Sequence, residues 1–416
     1  MNKTVFIIVD GMADLPIKRL GNKTPLDYAI KNNLYNFLKY SELAYPNVLG
    51  KLAPQSDAGV MANLSYDPLV YSTGRGWFEC LGLGLAPKSG ELSVRVNFGS
   101  VSKGKLKDIR VYLSQDEIED IINEINNNIH LSVSFDLKAG VGYRAGLVLR
   151  SGKMPFSHFV SNNEPGYTAR FFGSKVKLSF ASGIKDFRIK KIKPMKNEAR
   201  YTAEVLNEFV YKASEIIKKS KTYKTRLKKG MPVPNYLFLR DSSDHDPELE
   251  NINKKYNRKW AAITGMPLEK GIAESLGMSV IKMEELPNVE EDLRKKADQV
   301  GKVLSKFDAV YLHIKQPDSF SHLGKFIDKY AAIEKIDRII ISKLYKELDS
   351  KNDTLVLTCD HATSSEFKRH LNSNIPVLIS NRKFDYHHNF SEFACSKEGN
   401  KKIKKAIDIM PFVMNL

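Results

Sequence analysis

The apolar positions of this 416-residue chain follow two different rhythms. TVFIIVD (Thr4–Asp10) is an unbroken run of β-branched and aromatic residues, the pattern of a strand buried on both faces of a parallel sheet. NYLFLRD, WAAITG, SVIKM, DAVYLHIKQPD, TLVLTCDH and IPVLIS repeat that character. Helical patterns separate most of them, among them VEEDLRKKADQVGKVLSKF and YAAIEKIDRIIISKLYKEL. TPLDYAIKNNLYNFLKYS also reads as helical, with Thr24 placed to cap and Pro25 at the first helical position. From Glu91 to about Lys190 the rhythm changes. ELSVRVNF, GYRAGLVLR and KVKLSFAS alternate like half-exposed strands, and a long amphipathic helix then spans Asn197–Ser220. Strand–helix alternation predicts an α/β fold, a doubly wound and mainly parallel sheet. The chain would form a sheet domain from residues 1–85 and 191–416, interrupted by a smaller inserted α+β domain at 86–190.

Open parallel sheets bind ligands outside the carboxyl ends of their strands. Asp10 closes TVFIIVD, Asp318 follows AVYLHIK, and Asp360 closes TLVLTCD. Three carboxylates on one edge would repel strongly without a cation. Histidines accompany two of them: His322 lies four residues after Asp318, His361 adjoins Asp360, and His370 follows nine residues later. Carboxylate and neutral imidazole together suit a divalent cation such as Mn²⁺ or Zn²⁺. The set exceeds one tetrahedral site and fits two ions ~3.5–4 Å apart, an arrangement used in phosphoryl transfer. His130, His158, His245, His313, His387 and His388 have no matching partners, and surface or core packing is the reading for each.

Net charge is +17, which raises nucleic acid, a membrane surface or an anionic small substrate as partners. The lysines are spread along the chain without interleaved aromatics, which argues against nucleic acid. No segment reaches the ~18 apolar residues of a membrane span, so no membrane partner is expected. Cys80, Cys359 and Cys395 are scattered, which fits a reducing, cytoplasmic setting rather than a disulfide framework.

The ordered stretches VDGMAD, LGNKTPLDYA, PQSDAGVMANLSYDP, STGRGWFECLGLGL, RVNF, the LNEF helix, FLRD, PLEKGIAESLGM, HIKQPDSFSHLG, TCDHAT and IMPFVMNL resemble the archaeal-type cofactor-independent phosphoglycerate mutases, of the alkaline phosphatase superfamily. The resemblance covers nearly the whole chain and is weakest in the insertion. It implies an alkaline phosphatase-like sheet and a glycolytic or gluconeogenic mutase. Such an enzyme would move a phosphoryl group between the 3- and 2-hydroxyls of glycerate through a phosphoserine. It implies Ser56 as nucleophile and two divalent cations, manganese first and Mg²⁺, Co²⁺ or Zn²⁺ as alternatives. One ion would be held by Asp318, His322 and His370, the other by Asp10, Ser56, Asp360 and His361. Arg240 and Lys270 match substrate-binding positions, and Arg95 and Arg144 fall in matching stretches of the insertion. The substrate would be a small phosphorylated anion.

All the expected metal ligands and Ser56 are kept, and the departures concentrate around the substrate. Where the family has Ser-Asp-Thr-Ala-His, this chain has Ser56-Asp57-Ala58-Gly59-Val60. The family's His-Arg pair is Tyr143-Arg144, and Ser-Asp-x-Asp-Pro-His reads Ser161-Asn162-Asn163-Glu164-Pro165-Gly166. The arginine-rich segment after RVNF is reduced mainly to Arg110. These changes keep two alternatives open: a metal-dependent phosphatase or a phosphomutase for another small phosphorylated compound, and a non-catalytic binding protein on the same scaffold.

Overall fold

The computed structural model describes residues 2–152, 154–184, 186–349, 352–384 and 389–416. His387 and His388 lie outside the described residues. The chain divides into two compact units, one comprising Met1–Val70, Leu249–Glu269 and Ala273–Leu416, the other Tyr71–Glu248 and Lys270–Ile272.

The first unit is built on a seven-stranded sheet. Its strand order is β11 (Ser279–Ile281), β10 (Trp260–Ile263), β12 (Ala309–Ile314), β1 (Thr4–Val9), β13 (Thr354–Thr358), β16 (Val377–Ser380) and β2 (Ser41–Ala44). The first five are parallel, and every residue of β1, β12 and β13 is buried, in keeping with their unbroken apolar runs. IPVLIS forms β16, which runs antiparallel to β13, and β2 runs antiparallel to β16. Register places Val9 beside Ile314 and Ile8 beside Thr358, so the residues after these strands emerge at one edge. A short antiparallel ribbon, β14 (Ala362–Ser364) with β15 (Arg369–Leu371), pairs Thr363 with His370 beyond that edge. Thr24 caps the helix Pro25–Tyr28 as its sequence predicts, accepting from the Asp27 amide.

In the second unit, β3 (Leu92–Ser102) pairs antiparallel with β4 (Lys105–Asp108), β6 (Arg144–Arg150) and β9 (Tyr236–Ser243), and β5 (Ser134–Ala139) pairs with β6. A separate hairpin joins β7 (Tyr167–Phe172) and β8 (Val176–Ala181). Leu92, Val94, Val96 and Phe98 of β3 belong to one apolar core with Ile118, Ile121 and Ile125 of the helix Gln115–Asn128 and Phe209, Ala213 and Ile217 of the helix Arg200–Lys219.

This unit is larger than the 86–190 expected from the change of rhythm. Residues 71–85 and 191–248, assigned above to the sheet domain, pack here instead. The long helix buries its apolar face in this core, and NYLFLRD pairs antiparallel with β3 rather than joining the parallel sheet. A fully buried strand reads alike in either setting, because its apolar run records burial and not direction.

Candidate active site

Each acidic residue at the sheet edge is delivered by a different element. Asp10 follows β1 directly. Asp318 lies on the helix Gln316–Leu323 that starts just beyond β12, which sets His322 one turn away on the same face. Asp360 and His361 follow β13, and the β14–β15 ribbon returns the chain so that the His370 ring stacks on His361, centroids 3.8 Å apart. Ser56 opens the helix Ser56–Asn63, whose Gly59 packs so close that a Cβ there would meet the Asp360 carbonyl oxygen at 2.2 Å. Gly11, at φ +60°, makes a similar approach; a Cβ would stand 2.9 Å from the Asp318 side chain. The Ser56 hydroxyl lies 3.4 Å from Asp10 Oδ2 and 3.3 Å from His361 Nε2.

Neighbouring acceptors fix which imidazole nitrogen carries the proton. Thr363 Oγ1 donates to the Asp318 carboxylate at 2.9 Å, so it accepts from His361 Nδ1–H at 3.0 Å. His322 Nδ1 donates to the Lys368 carbonyl and His370 Nδ1 to the Pro54 carbonyl, at 3.1 and 2.9 Å. With the Nδ1 proton so placed, each ring in its neutral form presents a bare Nε2 lone pair. His322 Nε2 faces His370 Nε2 at 3.1 Å, with Asp318 Oδ1 at 3.4 and 3.6 Å. His361 Nε2 lies 3.4 Å from Asp10 Oδ1 and 3.2 Å from Asp360 Oδ2, two buried oxygens with no hydrogen-bond partner among the described residues.

Lone pairs and carboxylate oxygens that converge without a proton between them are a donor set for a cation. Electrostatics agree. Burial and then Asp10 push Asp360 far above the usual carboxylate range. Burial works against ionisation of Asp10 and Asp318 too, yet both are held low, chiefly by Lys315. The Lys315 ammonium bridges Asp10 Oδ2 at 2.6 Å and Asp318 Oδ2 at 2.7 Å. Burial keeps His361 neutral, its pKa lowered to about 4. The residues thus fit a divalent-metal centre. Asp10, Asp360 and His361 form one candidate ligand group, and Asp318, His361 and His370 a second.

The predicted substrate-binding arginines lie in the second unit. Arg95 and Arg240 sit opposite each other across the β3–β9 register, both buried. Arg95 donates to Glu79 at 2.7 Å, and so does Arg75. Arg240 pairs with Glu164 at 3.2 Å and with Asp241 at 3.4 Å, its guanidinium 3.8 Å from the centre of the Tyr167 ring. Arg144 covers the Tyr143 ring at 4.4 Å, while Arg110 donates to the Tyr167 hydroxyl at 3.1 Å. Burial and then Arg240 lower the Arg95 pKa to about 9, whereas, against burial, Glu164 and Asp241 hold Arg240 above the usual guanidinium range. Lys270 lies, half-buried, on the helix Pro267–Ser275.

Several site residues escaped the sequence reading. Lys315 sits inside the quoted HIKQPD, three residues before Asp318. His313 of the same stretch, whose sequence reading is surface or core packing, places its Nε2 3.5 Å from Asp10 Oδ2 and 3.6 Å from Glu269 Oε1. A histidine within the apolar run AVYLHI was the available signal. Thr363, Arg75 and Glu79 carried none, because their partners come from distant segments.

A parallel α/β sheet that gathers carboxylates, bare imidazole nitrogens and a serine at its carboxyl edge defines a divalent-metal enzyme. The chain is 31% identical over 425 residues to the 2,3-bisphosphoglycerate-independent phosphoglycerate mutase of Pyrococcus abyssi, covering 100% of this chain and 97% of that one. It is 33% identical over 428 residues to that of Pyrobaculum aerophilum, covering 99% and 97%. The chain belongs to the 2,3-bisphosphoglycerate-independent phosphoglycerate mutase family, whose model matches residues 44–223. Among solved structures, a protein from Pyrococcus horikoshii matches with TM-score 0.78 at 25% identity, covering 100% of this chain and 97% of that one. The cofactor-independent phosphoglycerate mutase of Thermoplasma acidophilum matches with TM-score 0.62 at 25% identity, covering 100% and 99%. Among the described residues no helix is long and apolar enough to cross a membrane.

Proposed function

We propose that the protein interconverts 3-phosphoglycerate and 2-phosphoglycerate through a phosphoserine at Ser56. The supporting observation is that the Ser56 hydroxyl lies 3.3 Å from His361 Nε2, which itself faces unpaired oxygens of Asp10 and Asp360, while the His322 and His370 Nε2 atoms meet beside Asp318. Asp318, His322 and His370 would hold one divalent cation, and Asp10, Asp360, His361 and Ser56 a second, with Mn²⁺ the first choice. When bound, such ions supply Lewis-acid charge that lowers the serine pKa and offsets charge on the phosphoryl oxygens. Ser56 Oγ attacks phosphorus, the bond from phosphorus to the 3-oxygen breaks, and that oxygen takes up a proton. The 2-hydroxyl then loses its proton, attacks the phosphoserine and restores the serine oxygen. Amides in the first turn of Ser56–Asn63 have no partner within the helix and favour an anion at its N-terminus. Arg240, Arg95, Arg144 and Lys270 would bind the carboxylate or phosphate of the substrate, arginine through its planar fork. The three cysteines are free and buried, in keeping with a cytoplasmic enzyme.

The test is incubation with 3-phosphoglycerate and Mn²⁺, assayed for 2-phosphoglycerate and for inorganic phosphate. Formation of 2-phosphoglycerate without phosphate release, lost in Ser56→Ala, is the expected result. One structural observation favours a second reading, a phosphatase or a mutase for another phosphorylated compound. Tyr143 lies buried among arginines where the family carries histidine, so the anion site differs in chemistry and not only in sequence. Release of phosphate without 2-phosphoglycerate would favour it.

A further inference from the structure

His158 and His245, read from sequence as isolated, share one carboxylate in the second unit. Asp244 and His245 follow β9, and His158 lies 86 residues from Asp244 along the chain. Both imidazoles direct Nδ1 at the same oxygen, Asp244 Oδ1, at 2.7 Å for His158 and 2.5 Å for His245. The carboxylate is aimed rather than free: its Oδ2 accepts the His158 backbone amide at 2.8 Å. The three ligand atoms form a compact group.

His158 is buried, and Asp244 and His245 are half-buried. The His158 side chain is 3% exposed and tilts against Phe159 and Phe171, with centroids at 4.2 and 5.9 Å. The Nε2 atoms of both histidines are buried with no hydrogen-bond partner among the described residues. The nearby Lys177 ammonium donates to the His158 carbonyl and to Ser242 Oγ and leaves the carboxylate to the imidazoles. Burial lowers the His158 pKa. Asp244 is held low against burial by its hydrogen bonds to His158 and His245. A neutral imidazole and an ionised carboxylate are the protonation states a metal ligand set needs.

We propose that His158, Asp244 and His245 form a zinc site, separate from the catalytic ligand set, that ties the end of β9 to the segment preceding Val160. Two imidazole nitrogens and one carboxylate oxygen match Zn²⁺ preferences and leave a fourth position for water. One ion would replace two N–H groups competing for a single oxygen. It would also cross-link distant segments, so its binding free energy becomes stability of this unit.

The test uses the full-length chain, stripped by chelator, reloaded with Zn²⁺ alone and freed of excess metal. Zinc is then counted per chain in the wild type, in His245→Gln, and in His245→Cys, which restores a ligand. His245→Gln should hold one zinc fewer than the wild type, and His245→Cys should regain it. Zinc should raise the wild-type melting temperature by roughly 5 °C more than that of His245→Gln. Because the count is a difference, zinc at the catalytic centre cancels. Should His245→Gln fold poorly by circular dichroism, Asp244→Asn, which keeps the acceptor and removes the charge, supplies the same comparison. Equal zinc content and equal thermal shifts in wild type and variant would overturn the proposal.

Discussion

The sheet unit gathers carboxylates and neutral imidazoles, whereas the second unit gathers guanidinium groups against too few acids. Both collections are buried, and neither balances itself. At the sheet edge Lys315 bridges Asp10 and Asp318, and Asp360 is left to be driven toward its neutral form. Around Arg75, Arg95, Arg110, Arg144 and Arg240 the acids paired with guanidinium groups are Glu79, Glu164 and Asp241. Buried charge without its partner costs several kcal/mol per ion. Each imbalance therefore names what is missing: a cation in one unit, an anion in the other. A purely structural core would satisfy its charges internally, as Lys329 does with Asp14 at 3.0 Å.

The largest expected effect is at the nucleophile. Ser56→Ala should lower kcat by ~10⁴-fold or more, with its melting temperature close to that of the wild type. Retention of most turnover would remove the serine from the chemistry and leave the acidic centre as a structural feature. Next comes Asp360→Asn, whose effect on stability should change sign with metal. In chelated protein the variant relieves carboxylate repulsion and should be the more stable; in Mn²⁺-loaded protein it should lose about 3–5 kcal/mol relative to wild type. Melting curves with and without Mn²⁺ decide the point, and a shift of the same sign in both conditions would mean that no cation balances the edge. In the basic cluster, Arg240→Lys keeps the charge and removes the fork. It should cost about 10²-fold in kcat/KM, and an unchanged value would separate these arginines from the substrate.

How much of this could be read in advance differs between the units for the same physical reason. Asp10 and Asp360 were legible because each closes an apolar run, Asp318 because it follows one closely, and parallel strands must end on one edge. His322 was legible from its spacing of four. Thr363 and Lys315 were not singled out, although both lie within two or three residues of ligands, because their role depends on which acceptor each side chain meets. The second unit was misjudged in extent. Its sheet is closed by β9, drawn from sequence far beyond the segment of changed rhythm, and an apolar strand does not announce its partner. Arg75 and Glu79 sit on a short buried helix whose charges make sense only beside Arg95. Local pattern reported burial well and pairing poorly.

The smallest effect expected comes from Tyr143 and tests the basic cluster through stability rather than turnover. Burial alone would raise its phenol pKa; Arg144, Arg110 and Arg95 overcome that and lower it to about 8, against about 10 in the unfolded chain. A depressed folded-state value favours the ionised form, so the stabilisation is full above about pH 10. It is lost as pH falls through about 8. Two units of difference correspond to at most about 2.7 kcal/mol. The stability of wild type relative to Tyr143→Phe should therefore rise from pH 8 to pH 10 and level off above. Chemical denaturation at several pH values, with tyrosinate absorbance followed in parallel, reads both quantities. A difference that stays flat across this window would mean that the three arginines spend their charge elsewhere and that the cluster is balanced without an added anion. A rising difference that an added anionic ligand then abolishes would show the phenolate and the ligand competing for the same guanidinium groups.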